Sequence, residues 1–210
     1  MLKKAEVLAL CRGEHGDPFA ALGLHADAKG RLWLRSLQPG ARAVSAVDAE
    51  TGAEIAALVE RKIDALGGAS GFFEAALPEG AKPPKYRLRI EWPGGVQEVA
   101  DPYSFPAILG DLDAWLLAEG SHLRPYERLG AHPCEIDGTP GATFAVWAPD
   151  AQRVSVVGDF NTWDGRRHPM RLRRECGVWE LFIPGVEEGA RYKYEIRARD
   201  GRILPQKADP

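Results

Sequence analysis

The chain reads as a mainly β protein, two tandem immunoglobulin-like β-sandwiches joined by a short helical connector. Three observations predict this. The first is internal repetition. DPFAALGLH (17–25), RLWLRSLQPGARAV (31–44), FFEAALPEGAKPPKYRLRIEWPGG (72–95) and ADPYSF (100–105) return as RPYERLGAH (124–132), TFAVWAPDAQRV (143–154), VWELFIPGVEEGARYKYEIRARDG (178–201) and ADP (208–210), offset by about 107 residues (17 against 124). That period is too long for a solenoid unit and has the size of one small domain. The second is alternation, the period of a half-buried strand. Tyr86, Leu88, Ile90 and Trp92 alternate with Arg87, Arg89 and Glu91, and Tyr192, Tyr194 and Ile196 with Lys193, Glu195 and Arg197. The third is punctuation by PEG (78–80), PGG (93–95) and RDG (199–201), turn signals between many short strands.

Taken in order, residues 2–11 (LKKAEVLALC) predict a short helix. From Arg31 onward the pattern is mainly β, with Pro39 answering Pro149, Pro78 answering Pro184 and Tyr86 answering Tyr192. Ile55, Leu58, Val59, Ile63 and Leu66 fall at helical spacing. Their counterpart MRLRRECGVWELF (170–182) alternates and carries a glycine break, so the repeat overrules the periodicity and predicts strands. Residues 106–119 predict a helix in the connection, with Pro106 in its first turn, Ile108, Leu112, Trp115 and Leu116 on one face and Gly120 as its stop. In the last β region, Trp179, Leu181 and Ile183 point one way and Glu180 and Phe182 the other. The expected division is a module over 1–105, a connector over 106–122 and a second module over 123–210. The second copy ends at Asp209-Pro210, where the first continues into Tyr103-Ser104-Phe105, so the chain is expected to be a piece of a longer protein.

Composition narrows the function classes. Charged residues make up 27% of the 210, the balance of a globular chain. A net charge of −3 supplies no electrostatic footprint for nucleic acid, and the basic run RRHPMRLRR (166–174) reads as a wet strand face. Cys11, Cys134 and Cys176 are odd in number and scattered, which favours a reducing compartment, and no apolar run approaches a signal peptide or a membrane span. The expected location is the cytoplasm.

The stretch GDFNTWDGRRHPMRL (158–172) carries the candidate site. It follows a strand over 153–157 and is dense in turn formers, which sets Trp163 on or beside a loop. An aromatic held there can offer its flat face to a sugar ring, Asn161 can donate and accept to hydroxyls, and Lys193 adds a charged donor. The competing reading packs Trp163 over the sandwich edge and makes Asn161 a turn cap. DFNTWDG fails as a calcium loop, because its sixth and twelfth positions are Asp164 and Met170 where glycine and an acid are required. His132 and Cys134 stand two apart with no second pair, and His15 and His25 flank Asp17 without metal-ligand spacing. No carboxylate pair is placed as acid and nucleophile, and no nucleotide or hydrolase motif occurs. The sequence therefore offers no catalytic residue, no metal and no cofactor.

HGDPFAALGLH, ADPYSF, LGDLDAWLLAEGSHLRPYERLGAHP (109–133), FAVWAPDAQRVSVVGDFNTWDGRRHPMR (144–171) and GARYKYEI (189–196) resemble the amino-terminal part of bacterial 1,4-α-glucan (glycogen) branching enzymes. The resemblance implies a β-sandwich followed by a family 48 carbohydrate-binding module, ahead of an α-amylase-type barrel. A barrel alone needs about 250 residues, so it lies outside this chain. The resemblance further implies α-1,4-glucan (glycogen or maltooligosaccharides) as ligand and the catalytic barrel of the same parent chain as partner, with neither nucleic acid nor membrane. Glucan-binding modules of this type use the Trp of F-N-x-W, which is Trp163 here, and the Lys of Y-K-[YF], which is Lys193. They often place a second aromatic after a D-G turn, where this chain has Ile203. The equivalent region of a debranching enzyme or a trehalohydrolase, and a stand-alone interaction sandwich, are the competing assignments.

Overall fold

The computed structural model describes residues 2–209, so Pro210, the last residue of the second ADP, lies outside the described residues. The chain divides into two compact units: one comprises residues 1–12 and 19–104, the other residues 13–18 and 105–210.

The first unit begins with helix α1 (Lys4–Cys11), followed by strands β1 (Gly23–Ala26), β2 (Leu32–Leu37), β3 (Ala43–Asp48), β4 (Glu54–Glu60), β5 (Phe72–Ala76), β6 (Tyr86–Trp92) and β7 (Gly95–Ala100). They form one antiparallel seven-stranded sheet in the order β1-β2-β5-β4-β3-β6-β7. The expected two separate layers are joined through β4. Its first part pairs with β3, as in Val44 opposite Leu58, and its last residues, Val59 and Glu60, pair with β5. The sheet folds over at that strand, which brings Leu34, Leu58, Phe73, Leu88 and Ile90 into one core. Neighbouring residues of a strand face opposite ways. Phe73 therefore enters that core while Phe72, with Leu37, turns outward under Val7, Leu10 and Cys11 of α1. The stretch with helical spacing is thus a strand, closed by a single 3-10 turn at Asp64–Leu66.

The second unit holds helix α2 (Asp111–Glu119) and strands β8 (Gly130–Ile136), β9 (Thr139–Trp147), β10 (Ala151–Gly158), β11 (Arg171–Arg173), β12 (Val178–Pro184) and β13 (Tyr192–Ala198). β11-β12-β9-β8 form one sheet and β10-β13 the other. Three expectations are corrected here. The helix starts at Asp111, not at residue 106, because residues 105–110 lie extended on β12. The amides of Ile108 and Leu109 donate to the Glu180 carboxylate (3.2 and 2.8 Å), and the Phe105 ring meets Phe182 edge-on at 4.6 Å. The Glu180 and Phe182 face of β12 is therefore covered, and Glu180 is buried. The helix also turns a different face inward. Ala114 and Leu117 pack with Leu109, Cys176 and Val178, whereas Leu112 and Trp115 are exposed. The basic run is not a wet face: Arg171 and Arg173 approach Glu180 (3.8 and 3.6 Å) and donate to the carbonyls of Phe105 and Leu109.

The repeated ADP motif has a shared structural cause. Tyr86 donates its hydroxyl to Asp101 at 2.6 Å in the first unit, and Tyr192 donates to Asp209 in the second.

Candidate functional site

β10 and β13 pair antiparallel, with Val157 opposite Lys193 and Gly158 opposite Tyr192. Val154, Val156 and Tyr194 are buried in the core, so alternation places Arg153, Ser155, Lys193 and Glu195 on the other face. The chain leaves β10 at Gly158 and returns beside it. The Val156 amide donates to the His168 carbonyl (3.1 Å) and the Met170 amide to that of Val154 (2.9 Å). The intervening loop is clamped to this outer face. Buried Arg153 donates to Ser155 (2.7 Å), to the Gly165 carbonyl and to the Glu195 carboxylate. A Cβ at residue 165 would stand 2.0 Å from Glu195 Oε1, so a larger residue here would push the Glu195 carboxylate off Arg153. Lys193 thus shares its face with the anchor of the loop that carries Trp163.

The tip of that loop is strained. Thr162 and Trp163 take φ of 55° and 60°, two successive non-glycine residues in the left-handed region, at roughly 1–2 kcal/mol each. Hydrogen bonds hold it. The Trp163 amide donates to the Gly158 carbonyl (3.0 Å), and Asn161 accepts from the Gly158 amide (2.9 Å) while its own amide group donates to the Val156 carbonyl (2.8 Å) and His168 Nδ1 (2.7 Å). Asn161 is 0% exposed and both its amide protons are used. Its expected contact with sugar hydroxyls is therefore corrected: it braces the turn, as the competing reading had it. His168 is matched to that role. Burial, helped by the Arg167 charge, pushes its imidazole down to about 3, so the ring stays neutral and its Nδ1 accepts.

Trp163 itself is 36% exposed. Its indole N–H donates to Asp159 (2.9 Å), whose other oxygen accepts from Arg191 (2.9 Å). These bonds, the one from Trp163 first, hold the Asp159 carboxyl below its ordinary value. With the polar edge of the indole fixed, the orientation of the ring is set by the protein. Lys193 is exposed, and its ammonium makes no hydrogen bond or ion pair among the described residues. Asp159 was missed by sequence reasoning. Its signal was available: an acid four residues before the tryptophan, inside the densest turn-forming stretch of the chain.

Among the described residues, no three His, Cys, Asp or Glu side chains gather as a metal-ligand set. His25 and His132 each bond the carbonyl three residues back, of Leu22 (2.7 Å) and Leu129 (3.0 Å), the same contact in both copies. No helix among the described residues is long and apolar enough to cross a membrane.

Comparison with known proteins matches two separate parts of the chain. Residues 3–103 match the family model of the alpha-1,4-glucan branching enzyme GlgB N-terminal domain. Residues 128–210 match carbohydrate-binding module 48, the isoamylase N-terminal domain. The chain is 53% identical over 211 aligned positions to 1,4-alpha-glucan branching enzyme GlgB of Paramagnetospirillum magneticum, covering 100% of the chain and 27% of that relative. It is 53% identical over 203 positions to 1,4-alpha-glucan branching enzyme GlgB 1 of Xanthomonas campestris pv. campestris, covering 96% of the chain and 26% of the relative. The chain therefore spans about a quarter of the length of the curated relatives it matches. A solved pullulanase type I from Bacillus subtilis, in complex with maltose, is similar at 15% identity over 90% of this chain and 24% of its own, with a TM-score of 0.33, too loose a likeness to carry an argument.

Proposed function

We propose that the chain is the non-catalytic, glucan-binding N-terminal region of a glycogen branching enzyme, a reading supported by the two family models that match its two parts and by its 53% identity to such enzymes. The parent transfers α-1,4-glucan chains to α-1,6 branch points in the cytoplasm, and this region holds an α-1,4-linked chain near the catalytic barrel that follows in the same polypeptide. The observation that carries the reading is Trp163: a ring fixed by its N–H to Asp159 and one-third open, on the strained tip of a loop anchored to the same sheet face as the exposed Lys193. The ring face meets the C–H surface of a glucose unit, and the Lys193 ammonium donates to hydroxyls of the same chain. Such convergence of an apolar platform and a polar donor is what small-molecule sites require. Helix α2 is assigned to the second module, not to an independent connector, since it packs on Cys176 and Val178.

The test is Trp163→Ala in the 210-residue chain. Maltoheptaose affinity should fall about five- to tenfold, the loss of about 1–1.4 kcal/mol for one aromatic platform. The melting temperature should hold, because the ring is not part of the core. Unchanged affinity with a melting point many degrees lower would make Trp163 a packing residue. The chain alone should also leave the iodine stain of amylose at the level of a heat-killed control.

A further inference from the structure

The second unit has an open cleft of about 830 Å³ beside the end of α2 and the end of β9, with neither Trp163 nor Lys193 in its lining. Its walls include Leu117 of α2, Leu129, Pro149 and Leu172, and Trp147 stands in it at the end of β9. Trp147 is 62% exposed, against 36% for Trp163. Unlike that of Trp163, its indole N–H has no hydrogen-bond partner among the described residues. Its ring edge rests on Gly177, where a Cβ would meet Nε1 at 3.4 Å and Pro149 at 2.8 Å, and where φ is 73°. The ring is therefore braced along its Nε1 edge by a residue that has to be small.

The first unit shows what the same place looks like when it is only structural. GFFEAALP (71–78) corresponds to GVWELFIP (177–184), and Leu37-Gln38-Pro39 to Trp147-Ala148-Pro149. There Gly71 sits against Pro39 as Gly177 does against Pro149. Leu37, in the place of Trp147, is only 2% exposed, sealed under Leu10, Cys11, Leu22 and Ile63. Ile63 comes from residues 62–70, which link β4 to β5. The second unit connects β11 to β12 through residues 174–177 alone and brings no such cover. One copy plugs the cleft with aliphatic side chains; the other leaves it open and puts a tryptophan in it.

We propose that this cleft is a second binding site for a linear α-1,4-glucan chain, with Trp147 as its stacking platform. The inference rests on the glucan reading of the chain but not on Trp163. Its rim carries Arg174 and Arg199 against Glu119 and Glu175. Opposed charges of equal number suit a neutral ligand rich in hydroxyls better than an anion or a cation. An apolar floor with a few polar groups, within the usual 300–1,000 Å³ range, fits an amphipathic sugar chain. The open indole N–H supplies a donor at the edge of the stacking face. Two separate platforms on one module would let it hold one long glucan at two points, which raises avidity through effective concentration.

The experiment titrates maltoheptaose against the 210-residue chain, Trp147→Leu, Trp163→Ala and the double variant, by calorimetry and by quenching of tryptophan fluorescence. Trp147→Leu installs the residue of the first unit and keeps an apolar side chain over Gly177. It should weaken binding at one site about five- to tenfold, with the melting temperature unchanged. Trp163→Ala should leave residual maltoheptaose-induced quenching, which the double variant loses. A Trp147→Leu chain with full affinity and two intact sites overturns the inference while leaving Trp163 standing, and reassigns the cleft to a polypeptide partner. Weakening in Trp147→Leu but not in Trp163→Ala overturns the Trp163 reading instead. Should Trp147→Leu melt lower, Arg174→Ala on the exposed rim serves as the second probe, and unchanged affinity there counts against the site.

Discussion

The two units share one plan and differ in where each inserts extra chain. In the first unit β3 and β4 are joined by a tight turn over residues 49–53, capped by Asp48, which accepts from the amides of Glu50 and Thr51. At the corresponding place the second unit carries residues 159–167, the loop with Trp163. Between β4 and β5 the situation reverses. The first unit inserts residues 62–70, whose Ile63 and Leu66 close the face under α1, and the second passes through a short turn. Both candidate binding features of the chain thus lie where the copies part. The repeated core positions hold the fold, and the lengths of two loops decide what is open to a ligand.

The largest expected effect tests what the copies have in common. Glu74 and Glu180 occupy corresponding positions. Each stands between two arginines: Arg35 and Arg61 at 3.6 and 3.3 Å, Arg171 and Arg173 at 3.8 and 3.6 Å. Removing one member of such a buried set leaves uncompensated cations, so Glu74→Ala and Glu180→Ala should each cost about 3–5 kcal/mol in urea denaturation. They should differ in reach. Glu180→Ala also releases the amides of Ile108 and Leu109, so hydrogen exchange should quicken across residues 105–119. Glu74→Ala should show no counterpart in α1. Equal, local effects would mean that Glu180 does not seat the start of the second unit.

This pair also shows how far the sequence carries. The repeat made β4 legible as a strand although Ile55, Leu58 and Val59 fall at helical spacing, because the second copy breaks that spacing at Gly177. Alternation at β12 sets Glu180 and Phe182 on the face opposite Trp179 and Leu181, but a strand pattern carries no information about a distant segment, here residues 105–110, that covers that face. The same segment explains the helix start set too early at residue 106. Pro106 and Ile108 suit a helix locally, yet the amides of Ile108 and Leu109 bond Glu180, some seventy residues away in sequence. The loop position and partial exposure of Trp163 were legible from the turn-rich motif. Asn161 was misread because a turn-rich motif does not say which of its polar residues points inward. Trp147 was passed over because a tryptophan beside an Ala-Pro turn looks like the Leu37 of the first copy, and only the structure shows that one is sealed and the other open.

A smaller effect sharpens the plugged-against-open contrast. Ile63→Ala removes a buried side chain from the cover of the first unit and should cost about 2–4 kcal/mol. Trp147→Ala, a larger truncation at the corresponding face of the second unit, should change stability by no more than about 0.5 kcal/mol, because most of its ring is already in water. The two variants are compared by urea midpoint at constant slope. A loss at Trp147 as large as that at Ile63 would show that the tryptophan packs in the unit and that the cleft is shallower than its geometry indicates.

The smallest effect separates the units by pH. Burial raises the Asp101 carboxyl of the first unit to about 6, against hydrogen bonds from Tyr86 and the Tyr103 amide that pull it down. Its folded value lies above the unfolded 3.8, so the native state holds the extra proton between the two. This contribution is full at low pH and is lost as pH rises from about 4 through 6. In the second unit burial, with the Arg167 charge, lowers His168 to about 3 from 6.5. Here the unfolded chain binds the extra proton, so this contribution is full above 6.5 and is lost as pH falls toward 3. Between pH 4.5 and 6 the two groups therefore pull in opposite directions. Asp101→Asn should flatten the decline of the first unit with rising pH, a change of about 1–3 kcal/mol across the window. His168→Asn keeps an acceptor near Asn161 and should flatten the decline of the second unit with falling pH. Hydrogen exchange of β6 and of β10, followed from pH 4.5 to 7 and corrected for intrinsic rates, reads each unit separately. If both strands lose protection together on acidification and neither variant alters the slope, the buried carboxyl and the neutral imidazole do not set the two responses.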